Sequence, residues 1–202
     1  MATVEDGFIY LLHYPYNSSD TVYKYDIAGE IWSMDTVNPF GSAGFGYAAG
    51  VNGKIYRIGG TNSWPTALDR VDIYDPAART WTSGATAPSG LLDFSGGVYR
   101  DSLIYTFGGG NWGTPTINDV YIYDTYSDSW TNATSLPDKR GCSGGGIIDT
   151  FAIVACGYDT SGGNYHDDYI VGTIDKSDPT IINWSAPTAI PGLNGDKYRV
   201  PS

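Results

Sequence analysis

Two five-residue segments alternate apolar and polar positions in the way expected of half-buried β-strands. They are VDIYD at 71–75 and VYIYD at 120–124. An apolar segment that ends in two glycines precedes each of them, KIYRI before Gly59-Gly60 and LIYTF before Gly108-Gly109. A period of two residues favours strands over helices. The pattern therefore predicts short antiparallel strands joined at glycine-rich turns.

The surrounding sequence extends each copy to four strands. A tryptophan follows each alternating segment, and small, glycine-rich segments precede the apolar ones at 42–50, 91–99 and 141–148. Asn52-Gly53 predicts a tight turn after the first strand. The paired glycines predict backbone with positive φ where the second strand ends. Asp75 and Asp124 predict side-chain caps on the turn after the third strand.

The same residue types return at a fixed interval, which indicates an internal repeat. Trp32, Trp81 and Trp130 are spaced by 49 residues, and Trp184 follows after 54. A Tyr-Asp pair begins seven residues before each of the first three tryptophans, and a proline lies seven residues after all four. A period of about 20–50 residues is typical of solenoids and propellers. We predict that Tyr74, Trp81 and their equivalents pack in a core.

A glycine pair is followed by Tyr-Asp and then by a tryptophan in the second and third copies. This order resembles the kelch repeat, which forms one blade of a class of β-propeller. The second and third copies match closely, whereas the first has His13-Tyr14 and the fourth has Gly157-Tyr158 in place of the glycines. The resemblance implies an all-β, kelch-type β-propeller of four four-stranded antiparallel blades. We predict one domain, 1–202, with repeats at 2–41, 42–90, 91–140 and 141–193.

The spacing of the repeats does not determine how the ring of blades closes. The tail, 194–202, falls where a first strand belongs, so we predict that 194–201 pair with Phe8–Leu12 and close the ring. The alternatives are that the chain is part of a larger propeller, since kelch relatives usually have about six or seven blades, or that two copies associate to complete one.

Charge and composition exclude some classes of function. The net charge is −11, and the 11 basic residues form no patch of the kind that binds nucleic acid. No segment approaches the roughly 18 consecutive apolar residues of a membrane span. Sequons at Asn17, Asn132 and Asn183 are compatible with an extracellular or cell-surface protein; a cytoplasmic location is the alternative.

Cys142 and Cys156 flank a predicted turn at IIDTF, 147–151. A three-residue loop would place them opposite each other and allow a disulfide. A two-residue loop would offset them by one position and leave two small buried side chains.

The sequence offers little catalytic chemistry. It has two histidines, His13 and His166, and lacks the HExxH, CxxC and GxSxG motifs. The resemblance implies two enzymatic alternatives, a copper radical oxidase and a sugar mutarotase or epimerase, for which Arg140 is the one basic group that we can place near the axis. A structural segment of a larger surface protein is a third alternative. We predict a binding protein with no catalytic residue, metal or cofactor.

The connections between second and third strands vary most between copies, at 15–21, 61–69, 110–119 and 158–168. Irregular loops on a rigid scaffold are where binding residues concentrate. We therefore predict that this face binds a protein or a glycan, with Trp64 and Trp112 as anchors unless these two rings fold back over their own blades. The full set of predicted binding residues is Tyr16, Trp64, Trp112, Arg140, Tyr165 and His166.

Overall fold

The computed structural model describes residues 1–12, 20–41, 44–111 and 113–193. The chain forms two compact units, Met1–Gly90 and Leu91–Ser202. The described residues are strands, turns and irregular segments, without a helix of the length and apolarity that a membrane crossing needs. Each unit contains two four-stranded antiparallel sheets, which we call blades 1 to 4 in chain order. One blade lies within each predicted repeat, and the predicted all-β fold class is confirmed.

In the first unit each blade is a simple meander, in which sequential strands are neighbours. Blade 1 comprises β1 (Ala2–Glu5), β2 (Phe8–Leu12), β3 (Thr21–Asp26) and β4 (Ile31–Val37). Blade 2 comprises β5 (Tyr47–Val51), β6 (Lys54–Ile58), β7 (Val71–Asp75) and β8 (Thr80–Ser83).

The second unit repeats the meander with additions in its last blade. Blade 3 comprises β9 (Ser95–Tyr99), β10 (Leu103–Asn111), β11 (Thr114–Asp124) and β12 (Ser129–Ala133). Blade 4 comprises β13 (Gly144–Ile148), β14 (Phe151–Ala155), β17 (Asp168–Ile174) and β18 (Ile182–Trp184), with β19 (Thr188–Ala189) also paired to β17. A small hairpin, β15 (Tyr158–Asp159) and β16 (Asn164–Tyr165), lies between β14 and β17.

The predicted turn chemistry is confirmed. Gly59, Gly60, Gly108 and Gly109 all have positive φ. At Gly108 a Cβ would come within 2.3 Å of the backbone oxygen of Arg140, so the position also has no room for a side chain. An Asp at the end of the third strand, or directly after it in blade 4, accepts backbone N–H bonds in every blade: Asp26, Asp75, Asp124 and Asp175 cap the following turn at 2.7–3.0 Å.

Each blade has two distinct faces, and the cores form where the faces of neighbouring blades meet. We call the face that bears the repeat tryptophan the Trp face, and the other one the opposite face. In the first unit the opposite face of blade 1 packs on the Trp face of blade 2, where the Tyr10 and Tyr74 rings meet edge to face at 6.5 Å. In the second unit the opposite face of blade 3 packs on the Trp face of blade 4, where Phe107 and Trp184 meet at 6.0 Å.

The core prediction is confirmed for the tyrosines and only partly for the tryptophans. Tyr74 and Tyr123 are fully buried. Trp81 and Trp130 are half-buried and cover the tyrosine of the adjacent strand, with Trp81 stacked on Tyr74 at 4.8 Å. Trp32 is 54% exposed. The tryptophans lie on the outermost strand of each blade, so one side of the ring packs and the other meets solvent.

The predicted pairing of 194–201 with Phe8–Leu12 falls on residues outside the described part of the chain, and β2 pairs with β1 on one edge and with β3 on the other. The prediction that the segment 110–119 is a long irregular loop is wrong. Strands β10 and β11 continue through most of it, with irregular register at Gly109.

Candidate functional site

Trp64 lies on a tight turn between β6 and β7, on the face where binding was predicted. Its side chain is 50% exposed. The turn is fixed by a bond from the Thr66 backbone N–H to the Ser63 carbonyl at 2.8 Å, and its base by a pair of backbone bonds between Gly44 and Thr61 at 2.8–2.9 Å. The Phe45 ring meets Trp64 edge to face at 6.2 Å. The indole is therefore supported on one side and open to solvent on the other.

Arg140, the basic group predicted to contact a ligand, is fully buried. Its guanidinium donates to both carboxylate oxygens of Asp138, at 2.8 and 3.1 Å, and to the backbone oxygen of Cys156 at 3.1 Å. Nη2 also lies 2.5 Å from Oδ1 of Asp168. These contacts pair the guanidinium donors of Arg140 with acceptors inside the protein. The prediction of Arg140 as a binding residue is thus corrected: it ties the segment before blade 4 to the β14–β17 connection.

His166 borders this buried charge cluster. Its Nδ1 is 3.9 Å from Oδ2 of Asp138 and 4.0 Å from Oδ1 of Asp168, beyond direct hydrogen bonds. Nε2 is buried and makes no hydrogen bond to any described residue. Only 14% of the side chain is exposed. His166 and Arg140 are therefore brought together by two aspartates that the sequence analysis did not single out.

Tyr165 lies in the β15–β16 hairpin, where its ring packs on that of Tyr158 at 4.7 Å. Blade 3 holds this hairpin in place: Thr116 donates from Oγ1 to the Asp159 carboxylate at 2.9 Å. Hydrogen bonds from Ser161, and then from Thr116, hold the pKa of Asp159 below its usual value. The hairpin thus places a supported aromatic pair on the predicted binding face of the second unit.

The other predicted binding residues, Tyr16 and Trp112, lie outside the described residues, as does His13. Cys142 and Cys156 are not joined by a disulfide. The register Ile148↔Phe151 gives the two-residue turn, so the cysteines are offset by one position, which is the second of the two predicted alternatives. Within the described ranges, no three His, Cys, Asp or Glu side chains form a group that could hold a metal.

The first unit has a cleft of about 390 Å³ that the sequence analysis missed. It lies between the turns of blades 1 and 2, on the face opposite to Trp64. Its lining includes Glu5, Asp6, Lys24 and Lys54. Because the cleft exists only where two blades meet, no local sequence signal marks it.

The first unit contains a second buried charge cluster, and its contacts are structural. Arg57 and Asp72 are partners across β6 and β7, and the Arg57 Nε donates to Asp72 Oδ2 at 2.8 Å. Arg70 contacts the other carboxylate oxygen at 2.7 Å. Burial lowers the pKa of Arg57, and the Asp72 carboxylate opposes that shift. Here the buried charges are paired within one sheet.

Comparisons with known proteins agree with the blade structure. The kelch motif matches residues 48–88 and 94–137. The solved structure of YjhT is similar to this chain with a TM-score of 0.79 at 15% sequence identity, and the match covers 96% of this chain and 66% of that one. The likeness at this identity concerns the fold. No curated protein matches the sequence.

Proposed function

Because this chain is a kelch-repeat β-propeller protein, we propose that it is a binding scaffold that holds a protein partner at the connections between second and third strands. The fold supports a binding role in general terms. The proposal adds the surface and its anchor, Trp64 in the first unit.

The observation that carries the proposal is the combination of exposure and support at Trp64. Half of its side chain is open to solvent, while the Ser63–Thr66 turn and Phe45 fix its position. Tryptophan is enriched among the few interface residues that dominate binding energy. A side chain that is already ordered also loses little conformational entropy on binding. Such a residue is suited to insert into a pocket of a partner.

An enzymatic role is less well supported by the same geometry. A mutarotase or epimerase would need a basic group that is open to substrate, whereas Arg140 is buried with its donors committed to Asp138, Cys156 and Asp168. Fold alone does not assign an activity.

The test compares Trp64→Ala with Tyr126→Ala as a matched control. Tyr126 is a 78% exposed aromatic on the turn after β11, at the other end of its blade from the proposed surface. Wild-type protein is used to select binders from a phage-displayed random peptide library and from a panel of immobilised oligosaccharides. Both variants are then measured against the selected ligands, with thermal melting as the check on folding.

We expect peptide ligands whose affinity falls at least tenfold in Trp64→Ala and is unchanged in Tyr126→Ala, with both variants melting near the wild type. Binders that are selected only among the oligosaccharides, and that need Trp64, would replace the protein partner with a glycan. Ligands that are insensitive to Trp64 would contradict the proposed surface.

A further inference from the structure

Each unit has one blade face whose apolar side chains are open to solvent. On the opposite face of blade 4, Ile148 is 81% exposed, Phe151 53% and Ile153 43%. On the Trp face of blade 1, Val4 is 58% exposed and Met34 66%. Large exposed apolar patches mark interaction sites more often than chance placement does.

The exposed face of blade 4 has a covered equivalent in blade 3. The strand registers align Ile153 with Tyr105, because each is the partner of the central glycine of the first strand, Gly146 and Gly97 respectively. Tyr105 is fully buried against blade 4. Two residues further along the first strand, on the same face, Ile148 aligns with Tyr99, which is 5% exposed. Blade 4 therefore repeats, on its open side, the apolar face that blade 3 uses to bind a neighbouring blade.

The contact between neighbouring first strands follows one rule in both units. In the second unit Ile147 packs directly over Gly97, where an added Cβ would come within 2.7 Å of the Ile147 side chain. In the first unit the equivalent residues are Gly50 and Thr3, and the Gly50 N–H donates to Thr3 Oγ1 at 2.8 Å. In both units, therefore, the second-to-last residue of the first strand in the later blade lies over the third-to-last residue of the first strand in the earlier blade.

The two open faces carry the two residue positions that form this contact, one on each face. Gly146 occupies the position of Gly97, and an added Cβ there would meet nothing within 4 Å. Val4 occupies the position of Ile147, because each is separated by one residue from a two-residue turn and lies in the row that ends at the tryptophan, Trp32 or Trp184. An aliphatic side chain and the open glycine position that fits it are therefore both present, on different faces.

We propose that the Trp face of blade 1 in one copy of the chain packs on the opposite face of blade 4 in a second copy, with Val4 against Gly146. A second copy has the complementary face by construction, and the contact repeats one that each unit already contains. The interface is head-to-tail, so it closes into a ring or continues into a filament. In a closed dimer each copy covers both open faces of the other, so we expect a dimer.

The first experiment measures the mass of the wild-type chain in solution by light scattering and sedimentation across a concentration series. We expect twice the 21.7 kDa of one chain. Val4→Arg and Phe151→Arg should each yield monomers. The matched control is Ile31→Arg, a 64% exposed residue next to Trp32 on β4 whose row lies on the other face, and it should remain dimeric.

Mixing the two interface variants tests the head-to-tail geometry. Val4→Arg retains an intact blade 4 face and Phe151→Arg retains an intact blade 1 face, so the mixture should recover dimers that neither variant forms alone. A wild-type chain that is monomeric at every concentration would overturn the proposal, and so would a Val4→Arg variant that remains dimeric. Because Phe151→Arg is independent of Val4→Arg, misfolding of one variant, seen as loss of cooperative melting, leaves the other as the test.

Cross-linking tests the predicted contact itself. In a Cys142→Ala, Cys156→Ala background, chains with Val4→Cys are mixed with chains with Gly146→Cys and oxidised. A disulfide needs Cα atoms about 4.4–6.8 Å apart, so we expect a heterodimeric product. One chain that carries both substitutions separates the alternatives: an intramolecular disulfide alone means that the chain closes on itself, and no disulfide means that the faces do not meet. Either result rejects the second copy as the occupant.

Discussion

Blades 3 and 4 have equivalent apolar faces, but blade 4 covers the face of blade 3, whereas the face of blade 4 is exposed. Tyr105 on blade 3 is fully buried, and its hydroxyl donates to the Pro179 carbonyl at 2.7 Å; Ile153 at the equivalent position on blade 4 is 43% exposed. The first unit shows the same contrast on the Trp faces, where Trp81 packs on Tyr74 and Trp32 is 54% exposed. Pattern and register are therefore the same in covered and open faces, and the difference comes from the neighbour.

The largest effect should follow from truncating the covered face. Tyr105→Ala should reduce the free energy of unfolding by about 3–5 kcal/mol, as for other large core aromatics, since it leaves a cavity and removes the hydrogen bond to the half-buried Pro179 carbonyl. Ile153→Ala, in dilute protein, should cost less than about 1 kcal/mol. Urea unfolding of both variants measures the difference. If a second copy covers Ile153, the cost of Ile153→Ala should increase with protein concentration.

The tryptophans test the contrast in the first unit. Trp81→Ala should destabilise by about 2–4 kcal/mol, because the ring is stacked on a buried tyrosine at 4.8 Å. Trp32→Ala should cost about 1 kcal/mol or less in dilute protein. Thermal and urea melts of the two variants give the comparison, and equal losses would mean that both Trp faces are equally covered.

Substitutions at Gly97 and Gly146 compare the covered and the open face without removing a side-chain contact. Gly97→Val should destabilise by about 1–3 kcal/mol through overpacking, since Ile147 already occupies the space beside it. Gly146→Val should change the stability of dilute protein by no more than about 0.5 kcal/mol, because its side is open and β-branched residues suit strands. A large loss in the Gly146 variant would show that this face is covered.

A pH dependence is expected on the covered face of blade 1. Burial, followed by the charges of Asp35, Asp6 and Glu5, raises the pKa of Tyr10 to about 12. The folded protein thus holds the phenolic proton more tightly than the unfolded chain, whose tyrosines titrate near about 10. The contribution is present below pH 10 and is lost as the pH rises toward about 12. Stability measured from pH 9 to 12 should fall less steeply in Tyr10→Phe, and parallel curves would argue against this assignment.

The parts of the site that the sequence predicted well are those fixed by short segments. The position of Trp64 on an exposed turn between two strands follows from an irregular connection between regular ones, and the structure has it there. Asp138 and Asp168 were missed because acidic residues are common in this chain, and only folding shows that both meet Arg140. The disulfide prediction depended on one residue of loop length, which the sequence left open and the two-residue turn decided.

What the sequence determined by itself is the blade. Alternating residues place each side chain on one face of a strand, paired glycines permit the positive φ that ends the second strand, and Asp26, Asp75, Asp124 and Asp175 cap the next turn through bonds within three residues. What only the tertiary structure decided is which faces are buried. Tyr105 and Ile153 have equivalent places in equivalent strands, but burial depends on a neighbouring blade far away in sequence, and no local pattern reports whether that neighbour is there.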